Sequence, residues 1–273
     1  MPKGCAVIGG AARNLAFYAA NPSVEGVIPI RDVDIAFFPD EISKDEADIY
    51  AEKFSPEDYT YGHGAQEIFD IEEYMGGRDF TMNQIIYKDG ELIMSRAAIR
   101  DIYKGVINPC DGCDNYWGYD EDDISTRLAI KAILQETVLN ENVKNIKIND
   151  KIYCSRFGRD GYSSYDGFQL ALVIQKSFDY GENIPRKFIQ NVANSDIFTG
   201  SKDIFFDEWG NIRELYDIMT DLNENILRIP FDFRDSALEY FMDETNDAIF
   251  EEKMKKYEFF ENIVDKNGDY RYR

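Results

Sequence analysis

The chain has 273 residues, 44% apolar and 14% aromatic, which supports a packed core and excludes a disordered polyelectrolyte. Its formal net charge of −22 is the reverse of a general nucleic-acid-binding surface, so any polyanion it binds must meet a local basic patch. No apolar run approaches the ~20 residues of a membrane helix, the first residues run straight into a predicted strand, and four scattered cysteines do not make a disulfide framework; a cytoplasmic protein with no membrane partner is expected.

In chain order, 4–8 reads as a strand and Ala11 to Ala20 as helix-competent. Further strands are predicted over 33–38, 65–69 and 82–87, the last joined to 91–94 by Lys88-Asp89-Gly90, since Asp-Gly between apolar runs is a hairpin signal. A short helix is predicted over 44–54 and a loop, with His63, over 59–64. Residues 108–123, with Pro109, two glycines and several acids, read as a linker. Helices are expected over 122–138, 185–192, 208–223 and 235–264, while 168–178 is helix or buried strand. The fold class is therefore an α/β N-terminal domain, a mixed sheet with helices, followed by a mainly helical C-terminal region. The expected division is 1–108, a linker and neck-like helix over 109–145, and 146–273. The acid-rich end, Asp232 to Asp269, reads as a solvated helical face.

Two segments carry the chemistry. Gly9-Gly10-Ala11-Ala12-Arg13 follows the apolar run Ala6-Val7-Ile8. Strand, glycine pair and helix start let a backbone approach phosphate, with N–H groups and a positive dipole end facing it. In Arg31-Asp32-Val33-Asp34-Ile35, Asp32 and Asp34 are two apart and share one face of an extended chain. Two adjacent carboxylates repel, and a divalent cation removes that cost; oxygen ligands of this kind suit Mg²⁺ or Mn²⁺ bridging to nucleotide phosphates. Each segment alone is commonplace, a turn or a solvated strand edge. In this order and spacing they point to a nucleotide-phosphate enzyme.

Further motifs follow: Gly76-Gly77-Arg78-Asp79-Phe80-Thr81-Met82-Asn83, then Asp89-Gly90-Glu91-Leu92, Ile99-Arg100-Asp101 and Gly105-Val106-Ile107. Over roughly residues 4–107 this set resembles the head domain of the class II tRNA nucleotidyltransferases, the CCA-adding enzymes, and of related poly(A) polymerases. The resemblance implies that Gly9, Gly10 and Arg13 hold a triphosphate and that Asp32 and Asp34 bind metal. It makes Glu67 the best match for a third carboxylate, and it gives Arg78, Asp79 and Asn83 to the nucleotide sugar and phosphates. Departures from the pattern are Asn14 for an aspartate, Gly77 for an arginine and Met94 to Ala98 for a Gly-rich run. In Glu121-Asp122-Asp123-Ile124-Ser125-Thr126-Arg127 the base-reading motif is one residue too long. Asp123 and Arg127 are four apart on a predicted helix, with Lys131 a turn further; they read the base or form a surface ion-pair ladder.

The implied reaction is transfer of CMP and/or AMP from CTP or ATP to an RNA 3′ end, tRNA above all, with no DNA partner. Beyond residue 140 the resemblance fades, which leaves open AMP transfer to a protein or small molecule, or an end-blocking, toxin-like tRNA modifier. A binding module without turnover is a third reading, disfavoured by the carboxylates. A basic surface from Arg156, Arg159, Lys176, Arg186 and Lys187 would favour RNA. Cys110-x-x-Cys113 lacks the further ligands of a structural zinc site, and Tyr116 and Trp117 are expected to pack or to stack on a base.

Overall fold

The computed structural model describes residues 1–21, 24, 26–54, 64–110, 126–153, 170, 173–174, 176–181, 183–195, 198, 202–213 and 217–218. The N-terminal part is a five-stranded mixed sheet in the order β3-β2-β1-β4-β5. Its strands are β1 (Cys5–Val7), β2 (Ile35–Phe37), β3 (Gln66–Glu67), β4 (Ile85–Lys88) and β5 (Glu91–Met94). β1 runs antiparallel to both β2 and β4, and β2 parallel to β3. That parallel pair requires a crossover, supplied by α2 (Lys44–Ala51), which Ser43 caps by accepting from the Glu46 N–H.

The two sheet faces are covered differently. Cys5, Ile35, Phe37 and Ala65 point toward α2 and pack with Ala47 and Ala51. Ala6, Ile8, Ala36, Ile68 and Ile86 point the other way, against Tyr74 and Met75 of α3 (Ile71–Gly76). The predicted β4–β5 hairpin is present, with Asp89 and Gly90 both at positive φ (53° and 89°), as a primed turn demands.

The main core joins α1 (Gly9–Ala20), α4 (Arg96–Lys104), α5 (Thr126–Asn140) and α7 (Ile184–Asn194) through Phe17, Ile102, Ile133 and Phe188. It is continuous across residue 108. A two-stranded parallel ladder, β6 (Val106–Ile107) with β7 (Lys147–Ile148), ties the two parts together just before the short helix α6 (Asp150–Tyr153). The described residues beyond 126 are mainly helical, as expected. Among the described residues no helix is long and apolar enough to cross a membrane.

Two predicted elements need correction. The strand expected over 82–87 begins as a 3₁₀ turn over Thr81–Asn83, closed by Asn83 N–H to Phe80 O (2.9 Å) and Gln84 N–H to Thr81 O (3.0 Å). The cause is Asp101, 1% exposed, which accepts from the Thr81 hydroxyl and from Arg100 Nε (2.6 Å) and holds the turn down. The helix expected over 208–223 is a tight turn at its start and is helical at the described residues 217–218. Asp207 accepts from the N–H groups of Trp209 (3.0 Å) and Asn211 (2.8 Å), Gly210 takes φ +81°, and Phe206 bridges to Ile212. A local side-chain bond of this kind competes with helix formation. The stretch read as helix or strand over 168–178 is helical at its described residues. The loop over 59–63 and most of the linker, 111–123, lie outside the described residues, as does the helix expected over 235–264.

Burial alone would raise the Asp101 pKa, but hydrogen bonds from Arg100, Thr81 and Asn108 outweigh it and hold the carboxyl below the usual range. The ionised form therefore stabilises the fold above about pH 4, and that contribution fades as pH falls through the folded-state pKa. Asp101→Asn should cost about 1–3 kcal/mol at neutral pH, with the difference from wild type shrinking in acid; urea denaturation across pH measures it, and a pH-independent difference contradicts it.

Candidate active site

The site is built where β1 turns into α1. Ile8 is extended and donates its N–H to Asp34 O (3.0 Å), so the β1–β2 ladder runs one step past the strands. Gly9 then takes φ +65°, and a Cβ there would strike the Asp34 carboxylate. Glycine is thus favoured by the backbone, and a Cβ there would also force the Asp34 carboxylate to move. Gly10 carries no such demand: a Cβ would rest 3.6 Å from the Arg13 guanidinium. α1 opens with no side-chain cap and no acidic residue in its first turn, so its N-terminal N–H groups face the cleft with the positive end of the dipole.

Asp32 and Asp34 precede β2, and Val33 between them packs with Ile35 on the α2 side. Alternation therefore sends both carboxylates to the opposite face, where both line a cleft of about 270 Å³. Gly9, Gly10, Arg13, Gly77, Arg78, Asp79 and Asn83 line the same cleft. Residues drawn from three separate stretches of sequence are thus brought together.

Arg13 is buried, 7% exposed, with Nε (3.3 Å) and Nη2 (3.1 Å) donating to Asn14 Oδ1 and Nη1 (3.4 Å) to Asn83 Oδ1. Burial lowers its pKa, partly offset by Tyr180. Asn14 in turn donates Nδ2 to the carbonyls of Ile28 and Pro29, both 3.3 Å. This accounts for asparagine at 14: an aspartate could accept from Arg13 but could not donate to the two carbonyls. Tyr18 accepts from the Ile28 N–H (2.6 Å), so α1 pins the segment that delivers Arg31, Asp32 and Asp34.

On the far wall, Arg78 lies 4.1 Å from the Tyr74 ring centroid and donates Nε to Tyr74 O (3.2 Å). The Tyr74 hydroxyl is buried without a well-formed hydrogen bond; burial first, with the nearby Asp34 charge, raises its pKa against the pull of Arg78. Asp79 accepts from Lys131 Nζ (2.9 Å) of α5. Gly77 leaves room for a side chain, the nearest atoms being 3.7 and 3.8 Å from a Cβ.

The structure does not bring Glu67 to the cleft. It pairs with Phe37 in the parallel register and so shares the α2 face with Phe37 and Ala65. The Lys44 ammonium of α2 is among the groups that feel its charge. The expectation of a third carboxylate at 67 is corrected by strand parity; the residue on the Asp34 face is Gln66. Asp123 lies outside the described residues, and Arg127 is placed only as a position on α5, one turn before Lys131. Cys110 is buried, with its sulfur 3.3 Å from Gln84 Nε2, while Cys113 and Cys154 lie outside the described residues. Of the proposed basic surface, Lys187 is paired with Glu141 (2.7 Å), and Arg156 and Arg159 are not described.

Four further residues line the cleft, Pro29, Ile30, Arg31 and Tyr180, and two of them carry polar side chains. Arg31 donates Nε (2.9 Å) and Nη2 (2.7 Å) to Asp32 Oδ2; it stood beside the Asp-x-Asp and was passed over. Tyr180, from a 3₁₀ turn over Phe178–Tyr180, lines the cleft too. Burial raises its pKa, while Arg31 and Arg13 oppose the shift. No local signal marks it.

Asp32 and Asp34 fit a hard divalent cation. Among the described residues no group of three or more His, Cys, Asp or Glu side chains could cage a metal, so an ion here needs nucleotide phosphates and water to complete its shell, as Mg²⁺ ordinarily does.

No family model matches the chain, and no curated protein matches it. Among solved structures, it is similar to a Thermotoga maritima CCA-adding enzyme complexed with tRNA, at 19% identity and a TM-score of 0.45, over 93% of this chain. The chain spans 62% of that structure's length. At this identity and score the likeness says nothing of activity.

The two glycines separate in a stability test. Gly9→Ala should lose at least about 1–2 kcal/mol from the left-handed backbone alone, while Gly10→Ala should be neutral or gain up to about 1 kcal/mol from helix propensity. Equal urea midpoints for the two variants contradict the assignment.

Proposed function

We propose that this chain is a metal-dependent nucleotidyltransferase that adds CMP and/or AMP from CTP or ATP to an RNA 3′ end, with tRNA as the acceptor. The observation that carries the reading is the Asp34 carboxylate seated on Gly9 at the uncapped start of α1, with Asp32 and Arg13 in one cleft. The resemblance of the motifs over 4–107 supports it. The cleft holds three arginines (Arg13, Arg31, Arg78) and three aspartates (Asp32, Asp34, Asp79). That formally balanced lining suits neither a bare cation nor a bare triphosphate and does suit the two together.

In the proposed reaction the 3′ hydroxyl oxygen bonds to the α-phosphorus, the bond from that phosphorus to the β-bridging oxygen breaks, and pyrophosphate leaves. The hydroxyl proton passes to solvent. The N–H groups at Gly9 and Gly10 bind the phosphates, with Arg13 beneath them held in place by Asn14 and Asn83. Arg78, stacked on Tyr74, carries its charge at the opposite wall. Asp79, fixed by Lys131, orients the nucleotide sugar. A divalent ion held by Asp32 and Asp34 would supply neutralisation of the attacking and leaving oxygens.

Two observations favour a different acceptor. The net charge of −22 and the pairing of Lys187 with Glu141 suit AMP transfer to a protein or small molecule better than docking of a long RNA.

Transfer of label from each α-³²P nucleoside triphosphate, with Mg²⁺, to tRNA trimmed at its 3′ end tests the proposal. Incorporation of C, A or both is expected, and Asp32→Ala or Asp34→Ala should reduce it at least about a thousandfold while the thermal midpoint is retained. Label on protein or a small molecule moves the acceptor to the second reading; label on a single nucleotide that blocks further addition marks an end-blocking enzyme. Full transfer by either aspartate variant overturns the site.

A further inference from the structure

Arg31 occupies an unusual position for a cation beside a pair of metal-ligating carboxylates. Two of its donors, Nε at 2.9 Å and Nη2 at 2.7 Å, fall on the same oxygen of Asp32. The pair is one-quarter exposed on each side, 26% and 25%, so it sits at the cleft mouth rather than in the core. Arg31 and Tyr180 both line the cleft. A cation arriving alone must therefore share Asp32 with a guanidinium, or displace it, and then remain close to its charge. Like charges at such separations interact by several kcal/mol unless screened. A triphosphate offers the same guanidinium a better, bidentate partner.

On the reading that the cleft takes a metal–nucleotide complex, we infer that Arg31 is a coupling residue. It guards Asp32 in the empty protein and transfers to the nucleotide phosphates when they arrive, releasing the carboxylate to the divalent ion. Metal and nucleotide then bind cooperatively, and by reciprocity each raises the affinity of the other by the same factor. Cation binding without nucleotide, which would waste the site, is suppressed. The guanidinium does this by competition, with no change of fold; Asn14 and Tyr18 hold the backbone at Ile28 and Pro29 while the side chain moves.

The test is direct titration of the full chain with Mn²⁺ alone, and separately with α,β-methylene ATP or CTP at fixed Mn²⁺, followed by calorimetry. Arg31→Ala should bind Mn²⁺ alone about tenfold tighter than wild type, and bind the methylene nucleotide about tenfold more weakly. These opposite signs are not produced by a merely structural role. Arg31→Gln should behave likewise if the alanine variant is unstable, with thermal denaturation as the check on folding. Asp32→Ala, which removes the ligand itself, should abolish tight Mn²⁺ binding. Unchanged or weaker Mn²⁺ binding in both Arg31 variants overturns the coupling role and leaves the nucleotidyltransferase reading standing. Absence of saturable Mn²⁺ binding to any variant, with or without nucleotide, overturns both.

Discussion

The close approach of the Asp34 carboxylate to Gly9, where it occupies the space a Cβ would need, organises the rest. It exists because β1 and β2 are antiparallel neighbours whose ladder continues one step, through Ile8 N–H to Asp34 O (3.0 Å), past the end of both strands. That bond sets Asp34 directly over the turn into α1. Only a residue without a Cβ leaves space there, and only glycine readily takes φ +65°. The same turn aims the first N–H groups of α1 at the carboxylates and places Arg13 beneath them. The start of α1 and the carboxylates thus share one wall of the cleft.

Around this contact the charges are held by second partners rather than by each other alone. Arg13 leans on Asn14 and Asn83, Arg78 on the Tyr74 ring, Asp79 on Lys131 of α5, and Asp32 on Arg31. A buried or half-buried charge is tolerable only when so satisfied. Lys131 also ties α5 to Asp79 of the cleft, and α5 shares one core with α1 and α4.

Much of this was legible in the sequence, for identifiable reasons. Glycine pairs after strands and carboxylates two apart have local signatures, and Asp89-Gly90 carried its hairpin in two residues. Asp32 and Asp34 could be placed on one face because alternation within a single extended stretch needs no tertiary information. Glu67 failed for the complementary reason: its face depends on which residue of β2 it pairs with, and that register is a long-range property. The turn over Thr81–Asn83 was misread because the cause, Asp101, lies twenty residues away in α4. The turn at Asp207 was misread because an Asx bond overrides a helical pattern. Tyr180 had no signal at all, since its place in the cleft follows from how the part beyond residue 170 packs on the sheet. Asn14 was visible only as a departure from a pattern, and its reason emerged with the carbonyls of Ile28 and Pro29.

The most direct test of the central claim is a crystal structure with Mn²⁺ and α,β-methylene CTP or ATP, using the anomalous signal to locate the ion. The account predicts Mn²⁺ on the carboxylates of Asp32 and Asp34, with the triphosphate against the Gly9–Gly10 turn and Arg13. Mn²⁺ bound at Glu67 on the opposite sheet face, or a nucleotide whose phosphates avoid the start of α1, would contradict it.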